Sequence, residues 1–142
     1  MSSDLALKGN MPEILRIEQE LLKMPQVILP LLHYQIPGVY VRRMSISAGT
    51  LLTGKIHKFA SIAILAEGTL RIADSEQAYR ISAPHVMVDK PGVKRLGFAE
   101  TNVTFITVHH TGKEYIEDIE EELVTSSFEE YEKLLELLEE SS

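Results

Sequence analysis

Lys55, His57 and Arg95, with Tyr40 and Arg42, are the residues of this 142-residue chain whose types and spacing best suit chemistry. In an extended strand, residues two apart share a face, so Lys55 and His57 project together, as do Tyr40 and Arg42. If Arg95 faces Lys55 and His57 across a barrel, two permanent cations and one titratable imidazole converge. Unpaired buried cations cost several kcal/mol each, so something negative has to be nearby. A phosphate or carboxylate would be held by charge-assisted hydrogen bonds, with arginine offering a fork and lysine a point charge. At roughly 1.5–3 kcal/mol per bond, three such bonds support micromolar binding only if an apolar wall contributes too. Tyr40 beside Arg42 offers a base-stacking platform, with ordinary core packing of Tyr40 as the alternative. Lys55 and Arg95 can equally pair inside the protein with Glu67, Asp89 or Glu100, or point to solvent.

Parity sorts the remaining polar groups. Lys58 and Lys94 fall opposite to Lys55 and Arg95 and read as solvent-facing, and Arg42 and Arg43 face opposite ways, so at most one lines a pocket. His109 and His110 also point to opposite faces and cannot readily chelate one metal together. His33 and His85 are isolated and read as structural or surface residues.

The elements that must position these groups are short. Residues 1–9 form a loose arm. Asn10 and Glu13 have capping-box spacing, and Ile14, Ile17, Leu21 and Leu22 recur at helical intervals until Pro25. Prolines 25, 30 and 37 punctuate an apolar connector, so residues 10–38 make a helix and a proline-rich link. From Val39 to His110, runs of Val, Ile, Thr and aromatics between Gly, Pro, Asp and Ser predict strands near 39–46, 55–58, 61–67, 69–73, 79–82, 85–88, 94–98 and 102–110. Residues 39–112 therefore form a small barrel or double sheet, closed to resolve its edges. Residues 113–142 form an acidic segment: Tyr115, Ile116, Ile119 and Leu123 pack on the barrel, and a final helix carries the stripe Phe128, Tyr131, Leu134, Leu135 and Leu138. That stripe packs on its own barrel or makes a homo-oligomer contact.

The spacing Gly49, Lys55, His57, Ser61, Gly68 resembles the first signature of the cupin superfamily. Pro91-Gly92-Val93-Lys94-Arg95 resembles its second. The resemblance implies an all-β, cupin-like jelly roll (double-stranded β-helix) with an N-terminal helix and C-terminal helices. It places Lys55, His57, Ser61 and Arg95 where a metal cupin keeps its ligands, and one histidine is short of the three ligands that a catalytic divalent site keeps. No metal or other cofactor is expected. Over roughly residues 10–125 the chain is similar to small cupin-like proteins of bacteriophages and prophages, in Tyr40-Val41-Arg42, Ala48-Gly49-Thr50, Gly54-Lys55-Ile56-His57-Lys58, Ala83-Pro84 and Val108-His109. Those relatives often carry His and Asn where this chain has Ser61 and Ala63, implying a less polar pocket.

Composition narrows the functions. A net charge of −7 argues against bulk nucleic-acid binding, although the middle of the chain is comparatively basic. The absence of cysteine removes disulfide, thiolate and cysteine-metal chemistry. No apolar run is long enough for a membrane span and no signal-peptide pattern opens the chain, so a cytoplasmic setting is expected, that of the host if the protein is phage-encoded. The favoured function is binding without turnover: sequestration of a small anionic, nucleotide-like ligand by Lys55, His57, Arg95, Tyr40, Arg42 and Ser61, such as a sponge for a host immune signal, in a homo-oligomer. The alternative is a structural, virion-accessory or interaction protein. A metal-free isomerase or hydrolase acting on a phosphorylated substrate ranks lower, because no aspartate stands at a spacing that assures orientation of His57.

Overall fold

The computed structural model describes residues 11–25, 29–54, 56–74, 76–113, 118–119 and 124–125. Helix α1 spans Met11–Leu22, and eleven strands follow: β1 Leu31–Ile36, β2 Val39–Ile46, β3 Leu51–Thr53, β4 Ile56–His57, β5 Ser61–Glu67, β6 Thr69–Ala73, β7 Ala78–Ser82, β8 His85–Asp89, β9 Leu96–Ala99, β10 Val103–His110 and β11 Val124–Thr125. All pairings are antiparallel, in a five-stranded sheet ordered β1-β2-β10-β5-β8, a four-stranded sheet ordered β3-β9-β6-β7 and a small β11-β4 ribbon. The two larger sheets bury Ile46, Leu65, Leu70, Ile72, Ile81, Ala99 and Val103 as one core. This is the double-sheet all-β architecture that the strand pattern predicts, and the jelly roll that the resemblance implies.

The alternating pattern of β5 shows how the residues choose their faces. Ser61, Ala63 and Leu65 are buried, whereas Ile62 is exposed, so the odd positions point between the sheets. The turn to β6 requires glycine at Gly68, where φ is +91° and a Cβ would lie 2.2 Å from the Asn102 carbonyl oxygen.

Helix α1 docks on the barrel through the stripe that its sequence shows. Ile14 and Ile17 are buried against Ala73 and Leu96. Burying such side chains contributes about 1.5–3 kcal/mol each.

The stretch before Val39 differs from expectation. Leu31–Ile36 is strand β1, paired with β2 from Leu31↔Met44 to Ile36↔Val39, rather than part of a proline-rich connector. Its prolines do not interrupt it: Pro30 precedes the strand, and Pro37 sits with Gly38 (φ +85°) in the two-residue turn to β2. Strand β3 also arises within a stretch that carries no expected strand.

Ile119 is fully buried against Tyr40, as its apolar character predicts. Tyr115, Ile116, Leu123, the final-helix stripe and Lys55 lie outside the described residues.

Candidate functional site

One inward row of the larger sheet carries most of the polar groups. Tyr40 on β2 pairs with His109 on β10, Ser61 on β5 pairs with Asp89 on β8, and all four side chains are buried. The next row inward pairs Arg42 with Thr107 and Thr107 with Ala63. Against these rows lie two chain segments zipped together by backbone hydrogen bonds. The Gly54 amide donates to the Arg95 carbonyl (3.1 Å), the His57 amide to Val93 (3.3 Å) and the Gly92 amide to His57 (2.8 Å). Those bonds hold the two segments together, and His57 and Arg95 both line the cavity between the sheets.

A cavity of about 90 Å³ opens between the sheets. Arg42, His57, Arg95 and Thr107 form its polar end, and Met44, Leu52, Leu70, Ile72 and Phe105 line much of the rest. Of the sequence-predicted residues, the structure brings Arg42, His57 and Arg95 into this lining. Ser61 stands behind His57, sharing a hydrogen bond of 3.3 Å between its hydroxyl and His57 Nδ1. Tyr40 does not line the cavity. It packs between His33 and His109, with ring centroids 5.8 and 6.0 Å away, and its hydroxyl bonds His33 Nδ1. Arg43 is exposed, so only one of the two adjacent arginines reaches the cavity.

Arg95 has an internal partner. Its Nη1 donates to Asp89 Oδ2 at 2.7 Å and its Nη2 donates to Asp89 Oδ1, a bidentate ion pair around a carboxylate that is fully buried. Burial works against the charge on Arg95, but the paired bonds to Asp89 more than offset it and hold the guanidinium above its ordinary range. Nε of Arg95 is a buried donor with no acceptor among the described residues. Tyr79 lies close enough to Arg95 to favour its charged form as well.

Lys94 corrects the parity reading. It is 1% exposed, and its ammonium donates to Glu18 Oε2 of α1 (2.7 Å) and to the Gly54 carbonyl (2.8 Å). Alternation fails there because β9 begins only at Leu96, so residues 91–95 are not a regular strand. Lys94 fastens the helix to the barrel, while its neighbour Arg95 turns inward.

Of the three carboxylates that the sequence offers Arg95, the structure selects Asp89; His109 is the site residue that sequence reasoning passed over. His109 stands edge-on to His57, with centroids 5.7 Å apart, and shares a hydrogen bond of 3.0 Å between Nε2 and Thr107 Oγ1. It shares parity with the inward Val103 and Phe105, a signal already present in β10. Burial pushes His57 down, opposed by Asp89 and reinforced by Arg95 and Arg42. Burial, helped by His57 and Arg42, lowers His109 to about 4.

Both imidazoles are therefore neutral near pH 7, and this gives a pH prediction. In the unfolded chain a histidine takes up its proton near pH 6.5, whereas in the fold His109 resists until about 4. Its contribution to stability is full above the unfolded value and is lost as pH falls towards the folded one, at up to about 1.4 kcal/mol per pH unit. Urea unfolding between pH 7 and 4 should show this loss, and His109→Gln should flatten it.

The donor set does not fit a divalent metal. Both Asp89 oxygens are bound to Arg95, His57 Nδ1 is engaged with Ser61, and two guanidinium groups border the space. Among the described residues no three His, Asp or Glu groups converge as a metal centre would require. No helix among them is long and apolar enough to cross a membrane.

No family model matches the chain and no curated protein matches it. Solved structures do. The chain is similar to a cupin superfamily protein from Desulfitobacterium hafniense, with 9% identity, 61% of this chain and 81% of that chain covered, and a TM-score of 0.51. It is similar to a cupin 2 domain-containing protein from Halorhodospira halophila (9% identity, 61% and 67% covered, TM-score 0.53). It is also similar to the EutQ protein of Clostridium difficile (16% identity, 65% and 75% covered, TM-score 0.53). At such identities the likeness shows the fold alone, and that fold is the cupin jelly roll.

Proposed function

We propose that the protein is a metal-independent, cupin-fold binding protein whose barrel holds a small organic anion with a compact apolar body. Arg42 carries the reading: it enters the cavity beside Thr107 with no carboxylate partner among the described residues. The planar fork of Arg42 can offer two donors to one carboxylate. Arg95 is already neutralised by Asp89 and both imidazoles are neutral, so among the described residues the polar end has one uncompensated positive charge.

Volume supports the same class. An apolar cavity of roughly 150 Å³ holds benzene, so about 90 Å³ suits a short-chain carboxylate. A nucleotide would seat only its phosphoryl head here, with sugar and base outside the mouth. A nucleotide sponge and a virion role rest on the phage resemblance alone. Turnover is not part of the proposal, because neither His57 nor His109 is hydrogen-bonded to a carboxylate among the described residues.

Two charge-assisted bonds at roughly 1.5–3 kcal/mol each, plus the apolar wall, place affinity between about 10 µM and 1 mM. Calorimetric titration with butyrate should give one site that weakens as NaCl rises. Arg42→Ala should weaken it at least tenfold, or about 1.4 kcal/mol. Butyrate binding indifferent to salt and to Arg42→Ala would refute the proposal. Arg95→Ala is a poorer probe, since it strands Asp89.

A further inference from the structure

One wall of the cavity is a single sheet layer with helix α1 on its far side. Leu52 of β3 and Gly97 of β9, paired across the sheet, line the cavity. Their neighbours Leu51, Leu96 and Phe98 pack with Ile14 and Ile17 of the helix instead. Just before β9, Arg95 lines the cavity, whereas Lys94 turns to the helix and donates to Glu18 Oε2 (2.7 Å). The same ammonium donates to the Gly54 carbonyl (2.8 Å), and the Gly54 amide donates to the Arg95 carbonyl (3.1 Å). One lysine thus ties the helix to two residues of the cavity lining. Thr53 adds a further tie, its hydroxyl donating to Glu18 Oε2 at 2.8 Å. Strand β3 needs that support, being three residues long at the edge of its sheet, with β9 as its one strand neighbour among the described residues.

Resting on the anion site proposed above, we infer that α1 is a latch on this wall, so that seating of the helix and filling of the cavity reinforce each other. Undocking α1 strips Lys94 of its carboxylate and Thr53 of its acceptor, which leaves the ammonium with the Gly54 carbonyl alone among the described residues. A buried charge without its counter-ion draws water in, and β3 then keeps only its short pairing with β9. A wall in that state no longer presents Leu52 to the apolar body of a ligand. The anion therefore binds the latched state in preference, and by linkage a bound anion holds the latch shut by the same factor. Apolar packing alone would seat a helix without involving the cavity. A lysine that is 1% exposed, bonded both to the helix and to a cavity-lining residue, makes the seat and the wall one unit.

Hydrogen exchange of the full chain, followed by NMR with and without butyrate at about ten times its Kd, tests the coupling. Amides of α1, none of whose residues lines the cavity, should slow by about tenfold together with those of β3, while amides of β7 at the other edge of the same sheet stay unchanged. Equal slowing in β7 would mean stabilisation of the whole fold and would overturn the latch. Glu18→Gln should speed exchange of α1 and β3 in step even without butyrate. Lys94→Met, which removes the tie to Gly54 and spares Arg42, should keep butyrate binding but cut the protection of α1 to under about threefold; full protection in that variant overturns the latch. If butyrate binds in an Arg42-dependent way and α1 does not respond, the latch falls and the binding proposal stands. If butyrate does not bind, the binding proposal falls and the ligand-free comparison decides: acceleration confined to α1 in Glu18→Gln overturns the latch, and joint acceleration of α1 and β3 retains helix and wall as one unit.

Discussion

Asp89→Ala should destabilise the protein by about 3–5 kcal/mol, because it leaves the Arg95 guanidinium inside the barrel with no counter-charge. The Asp89 carboxylate is fully buried and both of its oxygens are bound to Arg95. For a chain of this size the loss corresponds to roughly 10–20 °C in melting temperature. The pair itself contributes far less than its removal costs, since ion desolvation consumes most of the attraction. Asp89→Ala/Arg95→Met should therefore recover most of the lost stability, to within about 1–2 kcal/mol of wild type. Urea unfolding of the two single variants and the double variant closes the cycle. A single Asp89→Ala variant within about 1 kcal/mol of wild type would show that Arg95 swings out to water instead.

Glu18→Ala should cost nearly as much, about 3–4 kcal/mol, at the opposite wall. Glu18 Oε2 accepts from both Lys94 Nζ (2.7 Å) and Thr53 Oγ1 (2.8 Å), and the Lys94 side chain is 1% exposed. Without the carboxylate, the ammonium keeps only the Gly54 carbonyl among the described residues. Amide exchange should accelerate throughout α1 first, since Ile14 and Ile17 dock the same helix. Glu18→Gln, which retains hydrogen-bonding capacity but not charge, should fall between the two. A Glu18→Ala variant with wild-type exchange in α1 would mean that apolar contacts alone seat the helix.

The fold was legible where residue types repeat with a strand or helix period. Strands β2, β5, β6 and β10 fall in runs of Val, Ile, Thr and aromatics set off by turn residues, and α1 shows its stripe in Ile14, Ile17 and Leu21. Strand β1 was hidden because Pro30 and Pro37 read as breaks in the chain, although they lie outside the strand they bracket. The site was half legible. Parity along β2 and β4 points to Arg42 and His57, but it cannot say which carboxylate reaches Arg95 from another strand. Asp89 ends a strand six residues earlier, and its role appears only when β8 and the start of β9 are brought together in space. Lys94 was misread for a local reason: alternation predicts faces only within a regular strand, and residues 91–95 are held by loop hydrogen bonds.

The same loop bears on the proposed metal-independent function. Arg95 lines the cavity with His57 and consumes the carboxylate that a cation would otherwise attract. The most direct measurement is the arginine Nε–H spectrum of protein dialysed against EDTA and titrated with butyrate. The account predicts saturable shifts of the Arg42 and Arg95 resonances with no divalent ion present, whereas shifts that appear only after a divalent metal is restored, or none at all, would contradict it.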